Sequence, residues 1–542
     1  MSLDDLCGLA FEPIEEGPAW TERCCEAFHT LFEGRGSRYH KRAWGNEVRP
    51  RINADTSGVP YAALIHPDNP DSGPYGGTSF VLFPPNDIDE ADDRPGTALF
   101  GLVVGTRGLH PDEEALARPG HARKANAIAR WLNDGWTAGE QVAWAKSDPV
   151  RTDRTIPDSA ARAFEGHGAT FDRYGSEVYA LFQPPEDSEP ARELTLQALK
   201  AFLDLLAAER GVSTMSRADD VEVRNAYLGQ LFDTHQPEGV FERLEDRKYV
   251  ILEGPPGTGK TRLAHRLLDD DGPYAGRGES IQFHPNITYE DFVGGLAPAA
   301  DRGELGLQFE PQPGALMRAA DRARRVAPEP YLLHIDEVNR ADLAKVLGEA
   351  VYLFEYRQFR PDETHRRVQL PHDFSGDVDE ELLDGGFGLP ENLHVLGTMN
   401  TSDRSIAHLD VAIRRRFAFL KMWPNPRAIA DFLDERVDSD ERRGALASAI
   451  LGESTGVHDN PPNLFGELFD IFVDFAPDDV LDLMPGHSYF LAESVDELKR
   501  RLEGELVPLL EQYIREGHVA GFADELQAYI QRVDAFVSSG AR

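Results

Sequence analysis

VILEGPPGTGKTR, Val250 to Arg262, is the stretch whose reading decides the fold of this chain. A β-branched run enters a Gly/Pro-rich loop that ends in Gly-Lys-Thr and opens a helix. From Gly254 to Thr261 this matches the pattern Gly-x-x-x-x-Gly-Lys-[Ser/Thr] of a phosphate-binding loop. Gly254, Gly257 and Gly259 let the backbone curl so that successive N–H groups face one anion, with Pro255, Pro256 and Thr258 completing the loop. Lys260 is placed to reach phosphate oxygens and the Thr261 hydroxyl to ligate Mg²⁺. The helix beginning at Arg262 points its positive end at the same place.

Around that loop the 542 residues are too many for one core, and two to four domains are expected. With 41% hydrophobic residues the chain can build packed domains, yet no apolar run approaches the ~18 residues of a membrane span. The start, MSLDDLCGLAFEPIEEG, lacks the basic and apolar segments of a signal peptide, so a cytoplasmic location is expected. Cys7, Cys24 and Cys25 have no zinc-ligand spacing and read as reduced thiols. The net charge of −38 is spread along the whole chain, and only nine lysines accompany 47 arginines. That balance reads as solvation adapted to high salt rather than as a nucleic-acid mimic. It also means that any nucleic-acid contact must come from local arginine clusters.

Upstream of residue 212, a helical pattern over Ala19–Phe32 precedes strand-like runs at Tyr61–Ile65, Ser79–Phe83, Ala98–Gly105 and Glu177–Phe182. Helices are expected at His121–Asn133 and Glu189–Arg210, giving an α+β N-terminal domain over 1–212. The segment from Gly105 to Arg130 carries Arg123, Lys124 and Arg130; a solvated helix face is favoured there over a ligand surface. A linker is expected at 213–220 and an acidic solvated loop at Pro84–Pro95. From 221 to 425 helices and strands alternate as in a parallel α/β sheet, with strands at Tyr249–Leu252, Ser280–Phe283, Tyr331–Ile335 and Leu393–Leu396. Pro361–Pro390 reads as an inserted hairpin or loop, and 426–542 is helical throughout, a lid domain.

The run YLLHIDE, Tyr331 to Glu337, ends a buried apolar strand in two carboxylates, 75 residues after the phosphate loop. Adjacent acids there divide the chemistry: Asp336 to the Mg²⁺ shell, Glu337 to polarising the water that attacks the γ-phosphate. His334 inside the strand is expected to be a satisfied core residue. Asn400 ends a strand that lies beside both motifs, with Asp403 and Arg404 one turn on and the triple Arg414-Arg415-Arg416 before Phe417. An arginine at a subunit boundary can neutralise charge in a neighbour's transition state, which makes hydrolysis depend on assembly.

With these residues in hand, the segment from about Val221 to Tyr513 resembles the McrB-type AAA+ NTPases, within the dynein-related and MoxR-like AAA+ group. The matching stretches are GPPGTGKT, QFHPNITYEDFVGGLAP, HIDEVNRADLAKVLGEAVYLFE, GTMNTSDRSIAHLDVAIRRRF and PGHSYF. The resemblance implies an α/β AAA+ P-loop NTPase core with a C-terminal helical lid, following the α+β N-terminal domain. It implies a Mg²⁺-dependent ring, hexameric in the family, using ATP or GTP. Asp403 in the MNxxDR signature would join the nucleotide site, Arg415 and Arg416 would act in trans, and His487 of PGHSYF would face the nucleotide from the lid. Base choice is expected to depend on the leading segment, roughly Ala226 to Glu253.

The function expected from this is a motor of a restriction-type defence system acting on DNA with a separate McrC-like nuclease. The alternative is a MoxR-like chaperone that remodels a protein partner, which the acidic charge favours. A non-hydrolysing regulatory module fits poorly with Lys260, Asp336, Glu337 and Asn400 all present.

Overall fold

A computed structural model describes the chain except residues 1, 13, 15–17, 34–36, 41–48, 86–95, 137–138, 213, 216, 299–308, 356–365, 403–410, 453–462 and 540–542; at 2, 18 and 217–221 it describes the backbone alone. Two compact units emerge: residues 1–232 with Val473–Ala476, and residues 233–472 with 477–542. The expected linker at 213–220 runs directly into the helix Arg217–Leu228, which packs on helices of the first unit. Among the described residues no helix is long and apolar enough to cross a membrane.

The first unit is built on an antiparallel sheet of β1 (Arg49–Asn53), β2 (Tyr61–Ile65), β3 (Thr78–Phe83), β4 (Leu99–Val104), β5 (Ala143–Ala145) and β6 (Val178–Phe182). Its spatial order is β1-β2-β3-β4-β6-β5. Central strands β3, β4 and β6 are buried along their whole length, because both faces are covered. One face packs Val81, Phe83, Leu99 and Leu181 against Ile156, Phe164 and Phe171. Helices Pro18–Thr30, Pro119–Asp134 and Glu189–Glu209 make the other contacts of the sheet. Two ion pairs are buried here: Arg38 donates to Asp204 at 2.8 Å, and Arg210 to Asp112 at 2.8 Å. Contrary to the solvated face expected at Gly105–Arg130, Arg123 and Lys124 are buried, Arg123 donating to the carbonyls of Val473 and Ala476 and Lys124 pairing with Asp474. Burial pushes the Cys7 thiol up to about 11 and Cys24 up to about 12, so both are inert.

In the second unit the strands are β7 (Tyr249–Gly254), β8 (Gly278–Gln282), β9 (Gly294–Pro298), β10 (Phe309–Pro313), β11 (Tyr331–Asp336), β12 (Leu393–Asn400) and β13 (Ala418–Lys421). Five of them form an all-parallel sheet in the order β13-β7-β12-β11-β8, while β9 and β10 pair as a separate antiparallel ribbon. Alternate residues feed two cores: Ile251, Leu333, Ile335 and Val395 on one face, Val250, Leu252, Leu332 and Leu396 on the other. Two-sided burial is why these strands read as unbroken apolar runs. Within Pro361–Pro390 the described part is no loose loop: Phe374, Val378, Leu382 and Phe387 are buried in the first of these cores.

Among the described residues of this unit, three histidines are buried. His334 lies within hydrogen-bond reach of Ser280 Oγ at 2.8 Å, His394 of Tyr274 at 2.5 Å, and His487 accepts a backbone N–H. Burial pushes each down to about 4. Each folded value lies below the unfolded one of about 6.5, so between about 6.5 and 4 the unfolded state binds more protons. These groups therefore withdraw stability as pH falls through that window and leave it unchanged above. The slope approaches about 4 kcal/mol per pH unit if all three respond. Denaturant midpoints measured from pH 7 to 5 check this; a flat profile contradicts it.

Candidate nucleotide site

Gly254 ends β7 in register with Asn400 of β12, so the phosphate loop starts beside the strand expected to complete the site. The loop then turns through Gly257 and Gly259, with φ of 78° and 81°, which residues bearing a side chain rarely adopt. Lys260 opens the following helix, Lys260–Leu268, and is buried. Its Nζ donates to the carbonyls of Gly254 at 2.9 Å and Pro255 at 2.6 Å, while Thr258 Oγ1 donates to Pro255 O at 3.0 Å. Nζ also reaches the Thr258 hydroxyl at 3.4 Å, which keeps the ammonium inside the loop.

Next along the helix, the Thr261 hydroxyl donates to Asp336 Oδ1 at 3.0 Å at the end of β11. The pairing of Ile335 with Gly397 sets Thr398 beside Asp336, and the Thr398 hydroxyl donates to the same carboxylate oxygen. Thr398 also accepts the N–H of Glu337 at 3.3 Å. At Glu337 the backbone turns left-handed, φ 57°, a conformation costing about 1 kcal/mol or more for a non-glycine. Beyond this turn Glu337 Oε1 accepts from Asn400 Nδ2 at 2.7 Å, and Oε2 lies 3.5 Å from Arg340. Asn339 donates to the Asn400 carbonyl at 3.1 Å and holds that residue in place. The two adjacent carboxylates thus face different partners: Asp336 the phosphate-loop threonine, Glu337 the strand-end asparagine. Sequence reasoning missed Thr398 and Asn339; the one signal was a hydroxyl at the end of the apolar LHVLG run.

Among the described residues no group of three or more His, Cys, Asp or Glu comes together as a metal cage. A hydroxyl and one carboxylate 3.0 Å apart instead offer hard oxygens only, the donor set that suits Mg²⁺ shared with substrate phosphates. Thr261 and Asp336 fit that ion, which when bound supplies charge neutralisation on the phosphates.

The arginines divide. Arg416 is 3% exposed, donates to Ala412 O at 2.6 Å, lies 3.8 Å from Glu355 and sits over the Tyr352 ring. Within its own subunit it is a buried partner of these groups. Arg415 is exposed, and Arg414 stacks on Phe419 of its own chain. Asp403 and Arg404 lie outside the described residues.

From the lid, the 3₁₀ turn His487–Phe490 meets the phosphate loop backbone to backbone. Gly486 N–H donates to Pro256 O and Ser488 N–H to Gly257 O, both at 3.0 Å. A cleft beside the loop is lined by Leu263, Met422, Trp423 and Phe432, by His487, and by Asp233–Pro237, which lie inside the leading segment expected to govern base choice.

A family model of the dynein-related AAA domain matches residues 249–417. Over 391 residues the chain is 30% identical to the type IV methyl-directed restriction enzyme EcoKMcrB subunit of Escherichia coli K12, covering 66% of this chain and 75% of that one. The chain belongs to the McrB-type AAA+ NTPases. This McrB-type protein is also 27% identical over 197 residues to the type II restriction enzyme BsuMI component YdiS of Bacillus subtilis, spanning 31% of its own length and 55% of the relative's. A solved Cytophaga hutchinsonii protein described as an ATPase overlaps 46% of the McrB-type chain and 58% of its own, at 17% identity and a TM-score of 0.21. That overlap is too slight to argue from. The McrB-type core is thus a P-loop NTPase.

Proposed function

We propose that this protein is the Mg²⁺-dependent NTP-hydrolysing motor of a restriction system, acting on DNA in the cytoplasm as a ring of like subunits, hexameric as in its family, with a separate McrC-like nuclease. The observation that carries the reading is the continuous hydrogen-bond array from Thr261 through Asp336 and Thr398 to Glu337 and Asn400. Lys260 and the loop N–H groups bind the phosphates of ATP or GTP, and Thr261 and Asp336 hold Mg²⁺. Glu337 takes the proton of the attacking water, oriented by Asn400. Arg415 of an adjacent subunit stabilises the charge that develops on transfer. Support for the biological role comes from the two relatives, both components of restriction enzymes. Residues 1–232 then recognise the target. With a net charge of −38, that contact depends on few local cations and gives a shallow salt dependence.

Phosphate release by the purified chain tests this. Turnover is expected to need Mg²⁺, to rise with protein concentration as subunits assemble, and to increase about threefold or more with duplex DNA, while the DNA stays uncut. Stimulation by a protein client alone, with DNA inert, would replace the DNA motor by a protein-remodelling machine.

A further inference from the structure

We propose that the first unit governs the nucleotide site through Val473–Ala476, a short segment that helix Pro119–Asp134 holds largely by its main chain. The proposal rests on reading the phosphate loop as a nucleotide site. Val473–Ala476 belongs to the first unit, although the residues on both sides of it in sequence belong to the second. Its first three residues end the helix Leu464–Phe475. The last carbonyls of a helix have no partner within it, and that end carries partial negative charge. Three cations meet it here. Arg123 donates to Val473 O at 2.5 Å and to Ala476 O at 2.7 Å, Lys124 pairs with Asp474, and the Arg118 guanidinium lies 5.0 Å over the Phe475 ring. Gly120 completes the grip by having no side chain. A Cβ there would stand 2.5 Å from Val473 O and 2.8 Å from Asp474 O.

Burying Arg123 and Lys124 costs desolvation, and a contact that served stability alone would be better made of apolar side chains. Charged groups regain their hydration when such a contact opens, so this joint can release and reclose. On one side it is tied to the sheet of the first unit. His121, next to Gly120 and buried, has Nε2 3.0 Å from the Tyr179 hydroxyl of β6 and Nδ1 against Glu209 of helix Glu189–Glu209. On the other side the held helix leads to the phosphate loop. Phe465, at its far end, packs edge-on against Phe490 with ring centroids 5.4 Å apart. Phe490 closes the turn whose Gly486 and Ser488 N–H groups bond Pro256 and Gly257. Twelve helical residues make a rod of about 18 Å, so a shift at its held end is carried to Phe490. A ligand of the first unit that loosens or tightens the grip therefore alters the nucleotide site. By linkage, nucleotide alters the grip by the same factor.

Hydrogen exchange of the full chain, with and without Mg²⁺ and a non-hydrolysable ATP or GTP analogue, is the test. In wild type the analogue should slow exchange in the turn His487–Phe490 and, by about fivefold or more, in helix Pro119–Asp134. Gly120→Ala favours its own helix while its methyl group pushes Val473 and Asp474 away. Arg123→Met keeps the apolar stem and loses the donors. Both variants should keep the effect at the turn and lose it at the helix; an unfolded first unit in one leaves the other to decide. An unchanged helix in wild type, or an effect that survives in a folded variant, overturns the proposal. No effect at the turn in wild type counts against the nucleotide-site reading, and the proposal falls with it. With duplex DNA, both variants should keep DNA-free turnover within about twofold of wild type and lose the stimulation. Equal stimulation in variants and wild type overturns the proposal. If wild type itself is not stimulated, the DNA-motor reading fails while the exchange result still decides this one.

Discussion

Glu337→Gln should bind nucleotide within about threefold of wild type and lose about 10²- to 10⁴-fold in turnover, the range for removing a positioned general base. The substitution is close to isosteric. A glutamine carbonyl can still accept from Asn400 Nδ2 where Glu337 Oε1 now does at 2.7 Å, so the array around Thr398 and Asp336 persists. What disappears is the group able to take a proton from water. Phosphate release and nucleotide titration on the same preparation check this. More than a tenth of wild-type turnover in the variant would remove Glu337 from the chemistry. Asn400→Ala is the useful companion. It leaves the carboxylate but frees it from its partner, so turnover should fall less than in Glu337→Gln.

The strands that bring these residues together are legible in the sequence, because their apolar signal is strong. β7, β11 and β12 are buried on both faces, and their apolar runs stop abruptly at Gly254, Asp336 and Asn400. The elements that escaped are those with weaker signals. β13 is only half-buried and four residues long, and β10 reads FEPQP, whose prolines suggest a loop. The division at residue 232 was also hidden. Helix Arg217–Leu228 has only a weak apolar stripe, and its allegiance is set by packing on helices Pro119–Asp134 and Glu189–Glu209. The close contact between Gly486 and Gly257 joins residues more than 200 positions apart, and nothing local announces it.

The arginine triple shows the same limit and yields the second large expected effect. In sequence Arg415 and Arg416 are equivalent; in the turn that follows helix Val411–Arg414, folding leaves Arg415 exposed and buries Arg416. Arg415→Ala should leave nucleotide affinity, assembly and unfolding midpoint unchanged while turnover drops about 10³-fold, as for loss of an arginine supplied in trans. Arg416→Ala should behave oppositely. It removes one of the cations beside the Glu355 carboxylate and the cation over Tyr352 from a site that is 3% exposed, and is expected to lower stability by about 2 kcal/mol. Arg366, also paired with Glu355, limits that loss. Mixing experiments separate the two roles: Arg415→Ala subunits with an intact Glu337 should regain turnover beside Glu337→Gln subunits that supply Arg415. Arg416→Ala subunits should unfold early whichever neighbour they have. If instead Arg416→Ala keeps its unfolding midpoint and is rescued by mixing, the buried arginine swings out on assembly and takes the trans role from Arg415.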